Sequence, residues 1–215
     1  MDYFSGAVRE SVMVAHPNLG LMLTPMMGNN PGLTRVKWCA DTGCFSQPQR
    51  HSNERYLDWL DRKPRETNVF ATAPDVLADA AATWERSKKM LPQIRELGFN
   101  AALVAQDGIE DLWVSWESFD AVFVGGSTEW KLGPNAWAFC LEAKRHGKHV
   151  HWGRVNSLRR MWRARKAHAD SVDGTYITYA PDLLLPRVCR WLDRVNAQGL
   201  LPLTTDAPVT AQEGE

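Results

Sequence analysis

The stretch Trp38-Cys39-Ala40-Asp41-Thr42-Gly43 joins a short apolar run directly to an acid and a glycine. A run of this kind predicts a strand, and Gly43 predicts a sharp turn directly after it. Asp41 would then be held on rigid backbone at the end of the strand, where loops carry many binding and catalytic residues. The stretch therefore predicts both a strand and a functional carboxylate.

Five more apolar runs end in the same way, in acids, amides or glycines, at residues 69–75, 101–108, 121–126, 149–154 and 169–174. Helical patterns separate these runs, and alternating strands and helices are typical of a parallel sheet. A first strand is predicted at residues 20–26, followed by a Gly/Asn/Pro loop at 27–32. Parallel strands would place all of the polar ends on one face of the protein.

About seven predicted strands in 215 residues favour an α/β fold: a compact or incomplete TIM-type (β/α) barrel of about seven to eight parallel strands. A doubly wound sheet would call for a Gly-x-Gly-x-x-Gly phosphate loop, which the sequence lacks. We expect a single catalytic barrel domain over residues 1–202. The acidic segment 203–215, which contains Pro and Thr, is expected to be a disordered tail.

Composition places the chain among ordinary globular proteins, because 44% hydrophobic residues are enough to bury a core without disulfides or metal. The four cysteines form no Cys-x-x-Cys motif, so reduced thiols are expected. No apolar run reaches the roughly 18 residues of a membrane span, and the N-terminus lacks the order of a signal peptide. We therefore expect a cytoplasmic protein with no membrane partner.

The formal net charge is zero, which argues against a broad electrostatic grip on nucleic acid but allows a local one. Basic residues concentrate at 159–166, and Arg159, Arg160 and Arg163 are candidates for contact with phosphates. A solvated helix face is an equally good interpretation of the same pattern.

Several polar residues of the strand ends have plainer interpretations as well. Asp41 can serve only a turn, Asp75 can cap a helix that begins near residue 76, and Gln106 can bond within a loop. His149 and His151 share a strand face, as two metal ligands would, but no third ligand clusters with them. We expect neither a metal nor a cofactor.

Taken in order, the strand ends resemble the motif set of the tRNA-guanine transglycosylase superfamily. The motifs are Asp41-Thr42-Gly43-Cys44-Phe45-Ser46-Gln47, Pro74-Asp75, Val104-Ala105-Gln106-Asp107-Gly108, Phe123-Val124-Gly125-Gly126, His151-Trp152-Gly153 and Ser171-Val172-Asp173. The resemblance covers residues 20–182. It is nearest to the DNA-modifying branch, the deazapurine transglycosylases of phages and bacteria.

The resemblance implies a role for each matching position. Asp173 matches the carboxylate that attacks the sugar C1′, and Asp41 matches the acid that assists proton transfer at the base. Asp75 and Gln106 match residues that bind the guanine edge. The backbone of Gly125 and Gly126 matches the stretch that closes on the base carbonyl, and Gly153 matches a glycine close to the ligand.

Two departures from the tRNA enzymes favour DNA as the polymer. The sequence has no clustered Cys/His zinc site, and one early strand of the family has no predicted counterpart. The implied partners are DNA, with tRNA as the alternative, and a 7-deazaguanine base. The sequence leaves a homodimer open.

Elementary chemistry agrees with these roles. Base exchange at C1′ passes through an oxocarbenium-like state, which one carboxylate can trap while a second acid protonates the leaving base. Trp38, Trp130 and Trp152 are candidates for stacking on a flipped-out base. Two other functions remain open: a barrel hydrolase that uses Asp41 and His151, and an inert subunit that binds deazaguanine or nucleic acid.

Overall fold

Eight parallel strands close into a barrel in the computed structural model, which describes residues 1–6, 8–27, 35–44 and 48–199. The strands follow chain order around the barrel, and β1 pairs with β8 to close it. The predicted TIM-type barrel is confirmed. The strands are β1 (Asp2–Ser5), β2 (Leu19–Leu23), β3 (Lys37–Ala40), β4 (Asn68–Thr72), β5 (Ala101–Ala105), β6 (Ala121–Val124), β7 (His149–Trp152) and β8 (Ser171–Gly174).

Strand β1 corrects the sequence analysis, which placed the first strand at residues 20–26 and found one early strand missing. The predicted strand is β2, and the missing strand lies at the N-terminus of the chain. Four residues are too short a run to show a strand period. They form a strand because their neighbours β2 and β8 supply hydrogen bonds on both sides, and Tyr3 and Phe4 are fully buried there.

Helices follow most strands and pack around the barrel. They are α1 (Glu10–Met13), α2 (Asn53–Asp61), α3 (Ala80–Glu96), α4 (Thr128–Leu132), α5 (Pro134–Arg145), α6 (Leu158–Lys166), α7 (Tyr176–Tyr179) and α8 (Pro181–Ala197). Helix α3 starts later than the apolar pattern from Leu77 predicts, because Asp79 caps its first turn through the backbone N–H of Ala82. It ends just before Gly98, whose φ is +84°.

The core has two parts. The larger lies between the strands and the helices, and a smaller group of Phe4, Met22, Cys39, Phe70, Ala102 and Ala121 forms a separate cluster. Rings from β1, β4, β6 and β7 contact one another across the barrel, so this second cluster fills the interior. The His151 ring, for example, lies 5.0 Å from the Phe70 ring. The barrel interior is therefore a packed apolar cluster that the His151 ring contacts.

Three parts of the sequence analysis fall on residues that the structure does not describe. These are most of the loop at 27–32, the Phe45-Ser46-Gln47 part of the first motif, and the tail at 203–215. Within the described ranges, no helix has both the length and the apolar character that crossing a bilayer requires.

Candidate active site

The carboxyl ends of the strands bring the predicted site residues to one mouth of the barrel, where such folds carry their active sites. Asp41 follows β3, Asp75 lies just beyond β4, and Gln106 follows β5. On the other side, Gly125 follows β6, Gly153 follows β7, and Asp173 lies within β8. Because all eight strands are parallel, the two predicted catalytic acids, Asp41 and Asp173, lie at the same end of the barrel, where their charges interact.

Asp41 makes the predicted turn and has an unusual acidity as well. Its Oδ1 accepts the backbone N–H of Gly43 at 2.7 Å, and Gly43 has a φ of +72°. Burial, with a smaller contribution from the charges of Asp75 and Asp173, raises the pKa of Asp41 from 3.8 to about 6, against the lowering effect of the Gly43 N–H bond. An acid with this pKa both gives and takes protons near neutral pH.

Asp75 is held on both of its carboxylate oxygens. Gln106 Nε2 donates to Oδ2 at 2.6 Å, and the Cys44 thiol donates to Oδ1 at 3.0 Å. Gln106 in turn accepts the backbone N–H of Ala78 through Oε1 at 2.9 Å. The interpretation of Asp75 as a helix cap is wrong, because Asp79 occupies that position. A carboxylate held in one orientation still has free lone pairs for the N–H groups of a ligand.

The contact between Cys44 and Asp75 was not predicted, because the sequence indicates only that the four cysteines are reduced thiols. Burial and the neighbouring Asp75 charge raise the pKa of Cys44 to about 12, so the thiol keeps its proton and remains a donor. Its position three residues beyond Asp41, in the same motif, was the available signal.

Gly125 and Gly126 are required by close packing. A Cβ on Gly125 would lie 2.6 Å from the Val104 side chain, and a Cβ on Gly126 would lie 2.3 Å from the Trp130 ring. Both glycine N–H groups donate to Ala105 O, at 3.0 and 3.1 Å. A base carbonyl can accept from these groups only after this turn rearranges.

Gly153 is likewise a packing glycine, because a Cβ there would lie 2.8 Å from the Phe123 ring. Its carbonyl accepts the ammonium of Lys131 at 2.9 Å. The resemblance implies that Gly153 lies close to a ligand. In this structure its close neighbours are the Phe123 ring and the Lys131 ammonium. Lys131 was not singled out from the sequence.

Asp173 stands at the end of a buried chain of hydrogen bonds. Its Oδ1 lies 3.1 Å from His151 Nε2 and accepts the backbone N–H of Arg154 at 3.2 Å. Ser171 Oγ lies 2.8 Å from His151 Nδ1 and 2.7 Å from His149 Nε2. Ser171 and His151 are both completely buried.

The direction of this chain follows from what each group can donate. A carboxylate only accepts, so His151 Nε2 carries the proton that faces Asp173. Burial lowers the pKa of His149 to about 4, so that ring is neutral at pH 7. In this arrangement the Ser171 hydroxyl donates to His151 Nδ1 and accepts from His149 Nε2–H. Each donor in this series of hydrogen bonds, from His149 through Ser171 and His151 to Asp173, has an acceptor, and each bond points toward Asp173.

The basic residues divide into two groups. Arg160 and Arg163 line a cavity beside β7 together with Lys131 and Arg154, whereas Arg159 does not line it. The structure therefore brings two of the three predicted phosphate contacts to the barrel mouth. Arg159 is exposed on α6.

The three tryptophans proposed for stacking have different environments. Trp38 is fully buried against Trp59 and Phe99, so its prediction as a stacking partner is wrong. Trp130 donates its indole N–H to Glu110 at 3.0 Å, and Trp152 lines the cavity beside β7 that Lys131 and Arg154 also line.

Searches for relatives add no family to this geometry. No protein-family model matches the sequence, and no curated protein matches it.

The part of the chain with described coordinates contains no group of three His, Cys, Asp or Glu side chains placed to hold a metal ion. His149 and His151 share Ser171 as a hydrogen-bond partner.

Proposed function

We propose that this protein is a transglycosylase that exchanges guanine in DNA for a 7-deazaguanine base, such as 7-cyano-7-deazaguanine, through a covalent Asp173–sugar intermediate. One observation carries the proposal: a carboxyl group with a pKa of about 6, Asp41, shares the barrel mouth with Asp173, which two N–H groups hold in place. Base exchange requires one acid that transfers protons and one carboxylate that bonds to carbon.

In the first half of the reaction, an Asp173 oxygen bonds to C1′ while the bond from C1′ to the guanine nitrogen breaks. The bonding electron pair leaves with guanine, which takes a proton from Asp41. In the second half, Asp41 takes the proton from the ring nitrogen of the deazaguanine. That nitrogen bonds to C1′, and the Asp173 carboxylate departs. Asp41 and Asp173 both end in their starting states.

Asp75 is suited to hold the base through both halves. Guanine and 7-deazaguanine each present two adjacent N–H donors, and a carboxylate is a matching pair of acceptors. The bonds from Cys44 and Gln106 set the plane of the Asp75 carboxylate before the base arrives. Preorganisation of this kind lowers the cost of binding.

The environment of His151 supports exchange over hydrolysis. A hydrolase on this barrel would use Asp41 with His151 as a base toward water. His151 is completely buried and is bonded to Asp173 and Ser171, so it is poorly placed to activate a water at the mouth. A missing strand would favour an inert binding subunit, and it is also one of the two departures that favour DNA over tRNA. β1 occupies that place and removes both arguments, so the preference for DNA rests on the absent Cys/His zinc motif and on the motif resemblance.

The decisive experiment measures incorporation of a radiolabelled deazaguanine into DNA, followed by mass spectrometry of the digested nucleosides. Labelled deoxynucleoside from wild type, and none from Asp173→Asn, supports the proposal. A parallel reaction with tRNA decides between the two polymers. Release of free guanine without incorporation would favour the hydrolase, and purified protein with stoichiometric metal would favour a metal-dependent one.

A further inference from the structure

Four cationic side chains converge on one small cavity beside the candidate nucleophile. We call this space the basic cavity and define it by Lys131, Arg154, Arg160 and Arg163. Its volume is about 70 Å³, which is enough for several water molecules or one tetrahedral oxyanion and too small for a nucleobase with its sugar.

The positive charges of the basic cavity have main-chain carbonyl partners. Lys131 donates to Gly153 O, Arg160 to Arg154 O, and Arg163 to Leu132 O. Arg154 donates to the carbonyls of Gly125 and Gly126. None of the four forms an ion pair with a carboxylate among the residues that the structure describes. Each guanidinium has five N–H donors, so these contacts leave donors for an anion.

Lys131 makes the cavity a built site. It is only 6% exposed, and a buried ammonium is costly unless it is paired. Burial first, and then the charges of Arg154 and Arg160, lower its pKa from 10.5 to about 8, while the nearby Asp173 and Asp107 carboxylates act in the opposite direction. A bound anion would relieve this repulsion and would use ammonium hydrogens that the bond to Gly153 O leaves over.

Arg154 ties the basic cavity to Asp173. Its backbone N–H donates to Asp173 Oδ1 at 3.2 Å while its side chain lines the cavity. Its φ is +63°, a left-handed conformation that favours glycine and costs other residues about 1 kcal/mol or more. This conformation places the Arg154 N–H on Asp173 and the Arg154 side chain in the basic cavity.

We infer that the basic cavity binds one backbone phosphate of the polymer, next to the nucleotide whose C1′ faces Asp173. This rests on the proposed function for the identity of the reacting nucleotide. A phosphate held here would position the sugar relative to Asp173, because Arg154 contacts both sites. The contact would be independent of base sequence, as contacts to phosphates are.

The first test uses inorganic phosphate as the probe, with binding followed by ³¹P NMR. Wild type should bind phosphate saturably, and Arg160→Gln and Lys131→Gln should each weaken binding at least fivefold. The matched control is Arg190→Gln, which removes the same charge from an exposed position on α8 and should change the affinity less than twofold. Equal losses in Arg160→Gln and Arg190→Gln, or no binding by wild type, would overturn the proposal.

The second test replaces single phosphates of a DNA duplex by neutral methylphosphonates, one linkage at a time. A methylphosphonate at one linkage beside the exchanged deoxyguanosine should weaken binding of the duplex to wild type about tenfold. In Arg160→Gln the loss at this linkage should be clearly smaller, because one of the four cationic side chains that would hold the phosphate is gone. A flat scan, or the same dependence in Arg160→Gln, would reject a backbone phosphate even if free phosphate binds.

The two proposals fail separately. If phosphate binding and the methylphosphonate scan behave as expected but no base is exchanged, the phosphate site stands and the transglycosylase assignment falls. If wild type exchanges bases and Arg160→Gln does so with an unchanged KM for DNA, the phosphate site falls alone. Arg160 is exposed, so its substitution should leave the fold intact.

Discussion

Nε2 of His151 lies 3.1 Å from Oδ1 of Asp173, and the imidazole that makes this contact is completely buried. The opposite ring nitrogen is held by Ser171, which also contacts His149. The carboxylate at the end of β8 is therefore oriented by a hydrogen-bonded chain that starts inside the barrel. His151 is a positioning residue for Asp173 in the proposed reaction.

Two polar substitutions at His151 separate its two contacts. The Gln amide nitrogen falls near the place of Nε2 and preserves the bond to Asp173, whereas the Asn amide lies near Nδ1 and preserves only the bond to Ser171. His151→Asn should slow formation of the glycosyl-enzyme about 10- to 100-fold, and His151→Gln by less. Rapid-quench kinetics measures this rate. Equal rates in the two variants would show that His151 serves only packing.

Asp173→Ala should abolish base exchange. It also leaves His151 Nε2–H and Arg154 N–H without their acceptor, which costs about 1–3 kcal/mol of stability. Asp173→Asn is the matched control, because its amide oxygen still accepts a hydrogen bond but cannot bond to C1′. Urea unfolding should place the Asn variant closer to wild type, with both variants inactive. Undiminished incorporation by either variant contradicts the assignment.

Asp41 should make the stability of the protein depend on pH. Its pKa is raised from 3.8 to about 6 on folding, so the folded state binds more protons between these values and loses stability as pH rises through them. Asp41→Asn cannot ionise and keeps an acceptor for Gly43 N–H. The free energy of unfolding of Asp41→Asn, relative to that of wild type, should therefore rise by about 1–3 kcal/mol as the pH is raised from 4 to 8. Unfolding curves of both proteins over this pH range check the expectation.

The same substitution tests the role of Asp41 in proton transfer. Asp41→Asn should slow exchange about 10²- to 10⁴-fold, because an amide cannot protonate the leaving base. In wild type, the rate of guanine release should fall as pH rises above about 6, where Asp41 loses its proton. A flat pH profile for single-turnover guanine release, together with a fully active Asn variant, would remove Asp41 from the mechanism.

Cys44 should affect base binding through Asp75. Cys44→Ala removes the donor to Asp75 Oδ1, whereas Cys44→Ser keeps a donor at the same position. The loss of one hydrogen bond to a charged group is worth about 1.5–3 kcal/mol at most, so the Ala variant should bind free deazaguanine about 10-fold more weakly. Isothermal titration calorimetry measures both affinities. A Ser variant as weak as the Ala variant would argue against this bond as the cause.

The sequence alone was sufficient to predict the barrel and the mouth. Apolar runs that end in acids, amides and glycines reflect local rules for strands and turns, so they are visible without tertiary contacts. Asp41, Asp75, Gln106 and Asp173 were placed at one mouth because parallel strands share an orientation. β1 was missed because four residues carry no readable period, and its pairing with β8 joins the two ends of the barrel.

Only the tertiary structure decided how the site residues are held. His151 and Asp173 are 22 residues apart in sequence, and Cys44 and Asp75 are 31 apart. The basic cavity likewise joins α4, the end of β7 and α6. Side-chain orientation, burial and the resulting pKa values depend on what packs across the barrel, and no local pattern encodes that. The sequence therefore determined which residues reach the mouth, and folding determined which of them carry protons, which hold others in place and where positive charge collects.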